Sequence, residues 1–200
     1  MGTVYTAEEI AEIARFAHDR GLLLHMDGAR LANAAVSLNL PFKAFTTDAG
    51  VDVLSFGGTK NGMMFGETIC FLKAGLSADF KYIRKQGMQL ASKMRFISAQ
   101  YIGYFHNDLW KRCASNANLM ALMLDEQLKH ITEVKVTQKV QSNGVFVIIP
   151  NDIAEKIRGH YFFYPWDENK SEWRLMCSWD TEEKDIVDFI KLLKKELSPL

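Results

Sequence analysis

Several kinds of residue and segment are scarce in this 200-residue chain, and each scarcity excludes a class of protein. The three cysteines are too few and too scattered for a disulfide framework or a zinc site, so we expect buried thiols in a reducing compartment. Basic and acidic residues number 24 each, so no basic excess favours nucleic acid or an anionic membrane. No apolar run approaches the ~20 residues that span a bilayer, and the polar, acidic start does not resemble a signal peptide. We therefore expect a soluble cytoplasmic protein without nucleic-acid or membrane partners.

The apolar content of 48% is enough for one packed domain, or for one domain plus a smaller one. In the first part of the chain, helical periods alternate with short apolar runs. Thr6 and Glu9 form a capping box that begins a helix ending at Gly21. The following elements are predicted as strand 22–27, helix 31–38, strand 51–56 and strand 69–73. This alternation predicts the end of a parallel α/β sheet.

The second part of the chain begins with a long helical stretch. Residues 89–131 contain one glycine and no proline, which indicates two helices or one long connector between domains. Beyond this stretch we predict strands and helices with a hairpin turn at Asn143-Gly144. They are strands 134–140, 145–149, 161–166 and 172–179, a helix from Pro150 to Arg158, and a final helix from Thr181. We expect residues 1–114 to form one domain that includes the connector, and residues 115–200 to form a small α+β domain.

Two short stretches carry residue types that are common in catalysis. They are His25-Met-Asp-Gly-Ala-Arg30 and Ser55-Phe-Gly-Gly-Thr-Lys-Asn-Gly62. Asp27 ends a predicted strand, and ligands of open parallel sheets bind beyond the carboxyl ends of the strands. A carboxylate there can keep a heteroaromatic ring nitrogen protonated, which makes the ring an electron sink. The alternative is that Asp27 caps the following helix, since aspartate is a favoured N-cap.

Arg30 and His25 flank this aspartate. A guanidinium three residues after Asp27 is suited to bidentate binding of a substrate carboxylate, although a plain surface arginine is the alternative. His25 is predicted to share a sheet face with Asp27, because side chains alternate along a strand. It either orients the Asp27 carboxylate from behind or is an ordinary buried histidine.

Lys60 follows a predicted strand through Phe-Gly-Gly-Thr and precedes Asn61-Gly62. Glycines on both sides allow a sharp turn and the close approach of a planar group. An amine held there can condense with an aldehyde to form a Schiff base. The sequence is not a phosphate-binding P-loop, because no Ser or Thr follows the lysine and the first glycine is misplaced. An amine, a carboxylate and a guanidinium together are what pyridoxal phosphate chemistry on amino acids requires.

The two stretches resemble the threonine aldolase group of the aromatic amino acid β-eliminating lyase family. The likeness continues through Lys93-Met-Arg-Phe96, Ala114-Ser-Asn-Ala-Asn-Leu-Met-Ala121 and Trp173-Arg-Leu-Met-Cys-Ser-Trp-Asp-Thr181, so it covers nearly the whole chain. This family consists of pyridoxal phosphate enzymes with the aspartate aminotransferase-like fold, fold type I. The resemblance implies an α/β chain that is the C-terminal part of the large domain, with a parallel-type sheet, followed by the small α+β domain.

The resemblance also implies roles for individual residues. Lys60 becomes the lysine that bonds to the cofactor, and Asp27 the partner of the pyridinium nitrogen. Arg30 and Arg174 become the arginines that bind the substrate carboxylate. Arg95 becomes an arginine that reaches the phosphate, either of this cofactor or of a neighbouring subunit's. For Arg95 and Arg174 a structural salt bridge is the alternative, and no metal ligand is assigned.

The implied reaction is retro-aldol cleavage of a β-hydroxy amino acid, in which L-threonine or L-allo-threonine gives glycine and acetaldehyde. The implied assembly is a homo-oligomer, a dimer or a tetramer. The family's phosphate-binding turn, ring-stacking residue and proton-handling histidine have no counterpart here, and His18, His106, His130 and His160 are given none of these roles. The sheet is expected to lack its first strands and to expose an edge.

We therefore expect the isolated chain to lack full activity. Two alternatives are a non-catalytic remnant of the fold and a related pyridoxal phosphate β-eliminating lyase.

Overall fold

The computed structural model describes residues 2–198, which form two compact units. One unit is Tyr5–Arg112, and the other consists of the described residues of Met1–Val4 and Cys113–Leu200. Within the described residues, no helix combines the length and the apolar character needed to cross a membrane.

Helices and strands alternate in the unit Tyr5–Arg112. In order they are α1 (Ala7–His18), β1 (His25–Gly28), α2 (Leu31–Leu38), β2 (Val53–Gly57), β3 (Glu67–Phe71), α3 (Phe80–Gln86) and α4 (Arg95–Phe105). The sheet has the order β1-β2-β3, with β1 parallel to β2 and β3 antiparallel to β2. The α/β class is confirmed, although the sheet is mixed rather than wholly parallel. Within the described residues β1 is an edge strand, as expected from the sequence.

The predicted capping box begins α1. The Thr6 hydroxyl accepts the Glu9 backbone N–H at 3.2 Å, and the Glu9 carboxylate accepts the Thr6 N–H at 2.7 Å. These two bonds satisfy N–H groups that have no partner within the helix. The helix then buries Ile10 and Ala14, and Ile10 belongs to the apolar core beside the sheet.

The predicted strand 22–27 is wrong at its start. The strand begins at His25, whereas Leu22 and Leu23 are 57% and 50% exposed. The physical reason is the position of β1 at the sheet edge, because its pairing starts only where His25 meets Val53 of β2. The first residues of the apolar run 22–27, predicted as a buried strand, are therefore exposed.

A buried carboxylate, Asp52, joins α1 to the sheet. It is 4% exposed and accepts the Leu24 N–H at 2.7 Å and a hydrogen bond from His18 Nε2 at 2.8 Å, with Lys73 Nζ 3.6 Å away. Burial raises the pKa of Asp52, but the hydrogen bonds from Leu24 and His18 and the charges of His18 and Lys73 outweigh it. The net effect holds the pKa below its ordinary value.

The Asp52→Asn variant is expected to lower the free energy of unfolding by about 1–3 kcal/mol near neutral pH, because buried donors lose their ionised acceptor. Because the pKa of Asp52 is lower in the folded state, its ionised carboxylate stabilises the fold fully at any pH above the unfolded-state pKa of about 4. This stabilisation is lost as the pH falls through the folded-state pKa. Urea unfolding of wild type and variant at about pH 7 and about pH 3 measures this, and the difference should shrink at the lower pH.

The matched control is Asp48→Asn, because Asp48 pairs with Lys43 where both side chains are exposed. This variant should change the free energy of unfolding by less than about 0.5 kcal/mol. Equal effects of the two substitutions would contradict the role given to Asp52.

The long helical stretch is two helices, α4 and α5 (Leu109–Leu128), which confirms one of the two predicted arrangements. Residues 106–108 separate them, and Asn107 and Asp108 have positive φ angles of 50° and 53°. Few residues other than glycine adopt this conformation readily, so the backbone marks a firm end to α4.

The second unit packs helices on an antiparallel sheet. Besides most of α5 it contains β4 (Lys135–Val136), β5 (Gly144–Ile148), α6 (Asn151–Arg158), β6 (Tyr164–Asp167), β7 (Glu172–Met176) and α7 (Glu183–Leu197). The strand order is β4-β5-β7-β6, and the inward side chains of β5 and β7 pack on α5, α6 and α7. Cys177, the residue that follows β7, is buried, and burial raises the pKa of its thiol to about 12.

The predicted hairpin turn at Asn143-Gly144 is wrong. β4 has only two residues, and Gly144 is the first residue of β5 rather than part of a turn. The Asn143 side chain is buried and donates from Nδ2 to the Cys177 carbonyl at 2.8 Å. This long-range bond uses the side chain that would otherwise stabilise a local turn.

Candidate active site

Adjacent parallel strands bring the two predicted stretches to one edge of the sheet. In the β1–β2 register, Asp27 pairs with Ser55 and Gly28 with Phe56. Both strands therefore end at the same edge, and Lys60 lies in a 3₁₀ turn, Thr59–Asn61, just after β2. This is the edge at which ligands of open α/β sheets bind.

Two glycines permit close packing at this edge. A Cβ atom on Gly28 would lie 2.7 Å from the Ser55 carbonyl oxygen. A Cβ atom on Gly57 would lie 2.6 Å from Glu67 Oε2 and 3.1 Å from the Ala29 Cα. Larger residues at either position would push the two strand ends apart.

Asp27 is exposed at the end of β1. Its Oδ1 accepts the Ala29 backbone N–H at 2.9 Å, and its second oxygen can accept a hydrogen bond from a ligand. The N-cap of α2 is Arg30, and no side chain caps that helix. The alternative that Asp27 is a helix cap is therefore wrong.

His25 is exposed, so it is not an ordinary buried histidine. Its Nε2 and the Ser55 hydroxyl lie 2.9 Å apart and share a hydrogen bond, while the Asp27 carboxylate bonds to Ala29. No local pattern in the sequence assigns a role to Ser55. The signal that points to it is the parallel register, which puts Ser55 beside Asp27.

The turn that carries Lys60 is held from its backbone. Lys60 is exposed, and no described residue forms a hydrogen bond or ion pair with its amine. A Cβ atom on Gly58 would overlap Met63 Sδ, and Gly62 has a φ of 101°. The backbone of the turn therefore requires glycine at Gly62, whereas Gly58 leaves room for the Met63 side chain. The Thr59 hydroxyl closes it by accepting the Gly66 N–H at 3.0 Å.

The three predicted arginines lie in different elements. Arg30 is half-buried before α2, and Arg95 is the exposed first residue of α4. Arg174 lies in β7 of the other unit, with its guanidinium carbon 5.3 Å from the Tyr164 ring centroid and 5.5 Å from that of Trp166. Its Nε is buried without a hydrogen-bond acceptor among the described residues. Neither Arg95 nor Arg174 forms a salt bridge within the described part of the chain.

A family model of beta-eliminating lyases matches residues 1–150 of the chain. Two curated relatives, low specificity L-threonine aldolases of Pseudomonas aeruginosa and of Pseudomonas sp. (strain NCIMB 10558), are each 42% identical to it. The matches cover 91% and 99% of this chain but 53% and 57% of the relatives. The chain therefore spans about half the length of the curated relatives it matches.

Two solved structures resemble the chain. A threonine aldolase from Leishmania major superposes with a TM-score of 0.86 at 28% identity, over 97% of this chain and 57% of that one. A putative L-allo-threonine aldolase from Listeria monocytogenes gives a TM-score of 0.73 at 19% identity, over 98% of this chain and 58% of that one. The second likeness supports the fold alone.

Proposed function

Because the chain belongs to the beta-eliminating lyase family, we propose that it functions in the cleavage of β-hydroxy amino acids with pyridoxal phosphate as cofactor. The proposed reaction converts L-threonine or L-allo-threonine to glycine and acetaldehyde, which the names of both Pseudomonas relatives support. The observation that carries this proposal is the exposed amine of Lys60 and the exposed carboxylate of Asp27 at one edge of the parallel strand pair.

The chemistry of these residues fits pyridoxal phosphate. An amine with no internal partner among the described residues is available to an aldehyde carbon. One oxygen of the Asp27 carboxylate accepts the Ala29 N–H, and the other is available to accept a ring N–H. The glycines Gly28 and Gly57 let the two strand ends that carry these residues pack closely.

When bound, the cofactor supplies an electron sink for the carbanion that remains after the Cα–Cβ bond breaks. Lys60 would hold the cofactor through its amine, and Asp27 would hold the proton on the ring nitrogen and so keep the ring positively charged. His25 and Ser55 share a hydrogen bond beside Asp27, and we propose that this pair lies behind the carboxylate rather than bonding to it. We assign no residue of the chain to removal of the substrate hydroxyl proton.

We propose that Arg30 and Arg174 bind the substrate carboxylate, because a guanidinium matches it with two parallel hydrogen bonds. The Arg174 Nε, which has no acceptor within the described residues, supports this role. Fixing the carboxylate sets which bond at Cα lies perpendicular to the ring, and therefore which bond breaks. We propose Arg95, exposed at the start of α4, as a phosphate ligand of this or a neighbouring subunit.

We further propose that the chain acts in a cytoplasmic homo-oligomer, a dimer or a tetramer. Three free cysteines support a reducing compartment. Apolar side chains exposed on α4, and on the loop that Gln100 holds against α4, support burial by a further subunit. Sedimentation velocity measures the assembly. We also propose that residues 1–114 belong to the large domain of the full enzyme and residues 115–200 to its small domain.

The proposal is tested by acetaldehyde release from L-threonine, coupled to NADH oxidation by alcohol dehydrogenase. The purified chain is assayed with pyridoxal phosphate, alone and with the part of the Pseudomonas aeruginosa relative that it does not cover, supplied as a second polypeptide. Acetaldehyde that depends on the cofactor and on this chain is expected in the complemented mixture. The proposal is overturned if both mixtures release no acetaldehyde and show no cofactor attachment at Lys60.

A further inference from the structure

The residue beside Lys60 is the most buried member of the Lys60 turn. Asn61 is 2% exposed, while Thr59, Lys60 and Gly62 around it are exposed. A buried amide must find hydrogen-bond partners, because each unsatisfied polar group in the interior is costly. The Asn61 Nδ2 donates to the Tyr104 hydroxyl at 2.6 Å and to the Trp110 carbonyl at 2.9 Å.

Both acceptors are fixed by packing within the same unit as Lys60. Tyr104 lies in α4, is 3% exposed, and has its ring centroid 6.3 Å from that of Phe56 in β2. Trp110 lies in the first turn of α5, with its ring centroid 4.5 Å from that of Phe42. Two helices therefore hold Asn61 in the interior, while the neighbouring Lys60 is exposed.

The amine of Lys60 has no such support. Lysine has a flexible side chain, and no described residue binds the Lys60 amine. Only the backbone of the turn therefore fixes the position from which the Lys60 side chain extends. We propose that Asn61 is a positioning residue for Lys60. The two N–H groups of the Asn61 side chain fix the turn that carries the Lys60 amine, which condenses with an aldehyde. This inference rests on the proposed function for its chemical meaning, and on the contacts of Asn61 alone for its geometry.

The chemistry of this site favours asparagine over its isostere. Aspartate has the same shape but no N–H, so it would face the Trp110 carbonyl with a second acceptor and bury a charge. Asn61→Asp therefore removes both donors without opening a cavity. Tyr104→Phe removes one acceptor and leaves the ring packing in place, which makes it the milder test.

The experiment measures attachment of pyridoxal phosphate to individual lysines of the full chain. The lysine amine condenses with the aldehyde with loss of water, and hydride from borohydride then reduces the C=N bond to a stable secondary amine. Peptide mass spectrometry quantifies the label at Lys60, with exposed Lys73 of the same unit as an internal reference. Asn61→Asp should lower the Lys60 label about tenfold and Tyr104→Phe about threefold, with the Lys73 label unchanged.

The matched control is Asn143→Asp. Asn143 is likewise a buried asparagine whose Nδ2 donates to a carbonyl and whose Oδ1 has no partner among the described residues, but it lies in the other unit. This variant should suffer a comparable loss of stability in urea and keep the Lys60 label within about twofold. A purely structural role for Asn61 predicts equal labels in the two variants, and that result overturns the inference.

A second measurement needs no cofactor. NMR relaxation of the Lys60 backbone amide should give an order parameter of about 0.85 in wild type, as for rigid backbone, and a lower value in Asn61→Asp and Tyr104→Phe. If wild-type Lys60 takes no label and no acetaldehyde is released even in the complemented mixture, the proposed function fails while this measurement still decides the positioning role. An unchanged Lys60 amide in both variants overturns it. If Asn61→Asp does not fold, Tyr104→Phe decides by the same two measurements.

Discussion

Lys60→Ala is expected to lose all attachment of pyridoxal phosphate at the sheet edge, because the amine that bonds to the cofactor is removed. The proposed threonine cleavage should fall by about 10³-fold or more, since catalytic groups that act as one unit fail together. The exposed amine is the only one in the Thr59–Asn61 turn that can condense with the aldehyde. Cofactor absorbance, borohydride labelling and acetaldehyde release in the complemented mixture measure the three losses.

Lys60→Arg is the informative companion to this variant. It keeps the cation and nearly the same length, but a guanidinium does not condense with an aldehyde under these conditions. It should therefore behave like Lys60→Ala, whereas Lys111→Ala, at an exposed position in α5, should behave like wild type. Full cofactor attachment in the Lys60→Ala variant would contradict the assignment of Lys60 as the lysine that bonds to the cofactor.

Asp27→Asn is expected to lower turnover about 100-fold, as removal of one group that stabilises developing charge does, while cofactor attachment at Lys60 stays nearly unchanged. The amide has the same shape and its oxygen still accepts the Ala29 N–H, so the local turn survives. It no longer supplies the negative charge that keeps a ring nitrogen protonated. Steady-state kinetics should therefore show a loss in kcat with the borohydride label retained.

The chain offers a geometric control for this substitution. Asp167, at the end of β6, accepts the backbone N–H of the residue two positions later at 3.1 Å, as Asp27 does. Asp167→Asn removes a carboxylate that makes the same backbone hydrogen bond, although Asp167 also pairs with Lys170 at 2.9 Å, and should leave turnover near wild type. Equal kinetic losses in the two variants would mean that the effect comes from the turn and not from chemistry at Asp27.

Much of the first unit follows from local sequence signals. The capping box at Thr6 and the parallel pairing of β1 and β2 were predictable from patterns of a few residues. The long helical stretch was predicted only as two helices or one connector, and the structure shows two helices. The errors came from contacts that no local pattern carries. Leu22 and Leu23 are exposed because β1 is an edge strand, and Asn143 leaves its predicted turn to bond Cys177.

The candidate site divides in the same way. The placement of Asp27 and Lys60 at one edge of the sheet could be predicted, because each follows or ends an apolar strand-like run. Ser55 and Asn61 could not be given roles, since their importance depends on partners that are distant along the chain. Asn61 finds Tyr104 across 43 residues, a contact that only the folded chain reveals.

The pairing of Asp27 with Ser55 also determines how freely the chain between the two strands can change. The relation between Asp27 and Lys60 is set by the β1–β2 register and the short turn after β2, and not by the length of the crossover 29–52. Thr47 and Asp48 lie in an exposed turn of that crossover. An insertion there would lengthen the sequence between the two residues without moving either strand end, since surface loops tolerate added length at small cost. The number of residues between Asp27 and Lys60 is therefore a weak criterion for recognising such a site in other chains, and the alignment of the two strands is the stronger one.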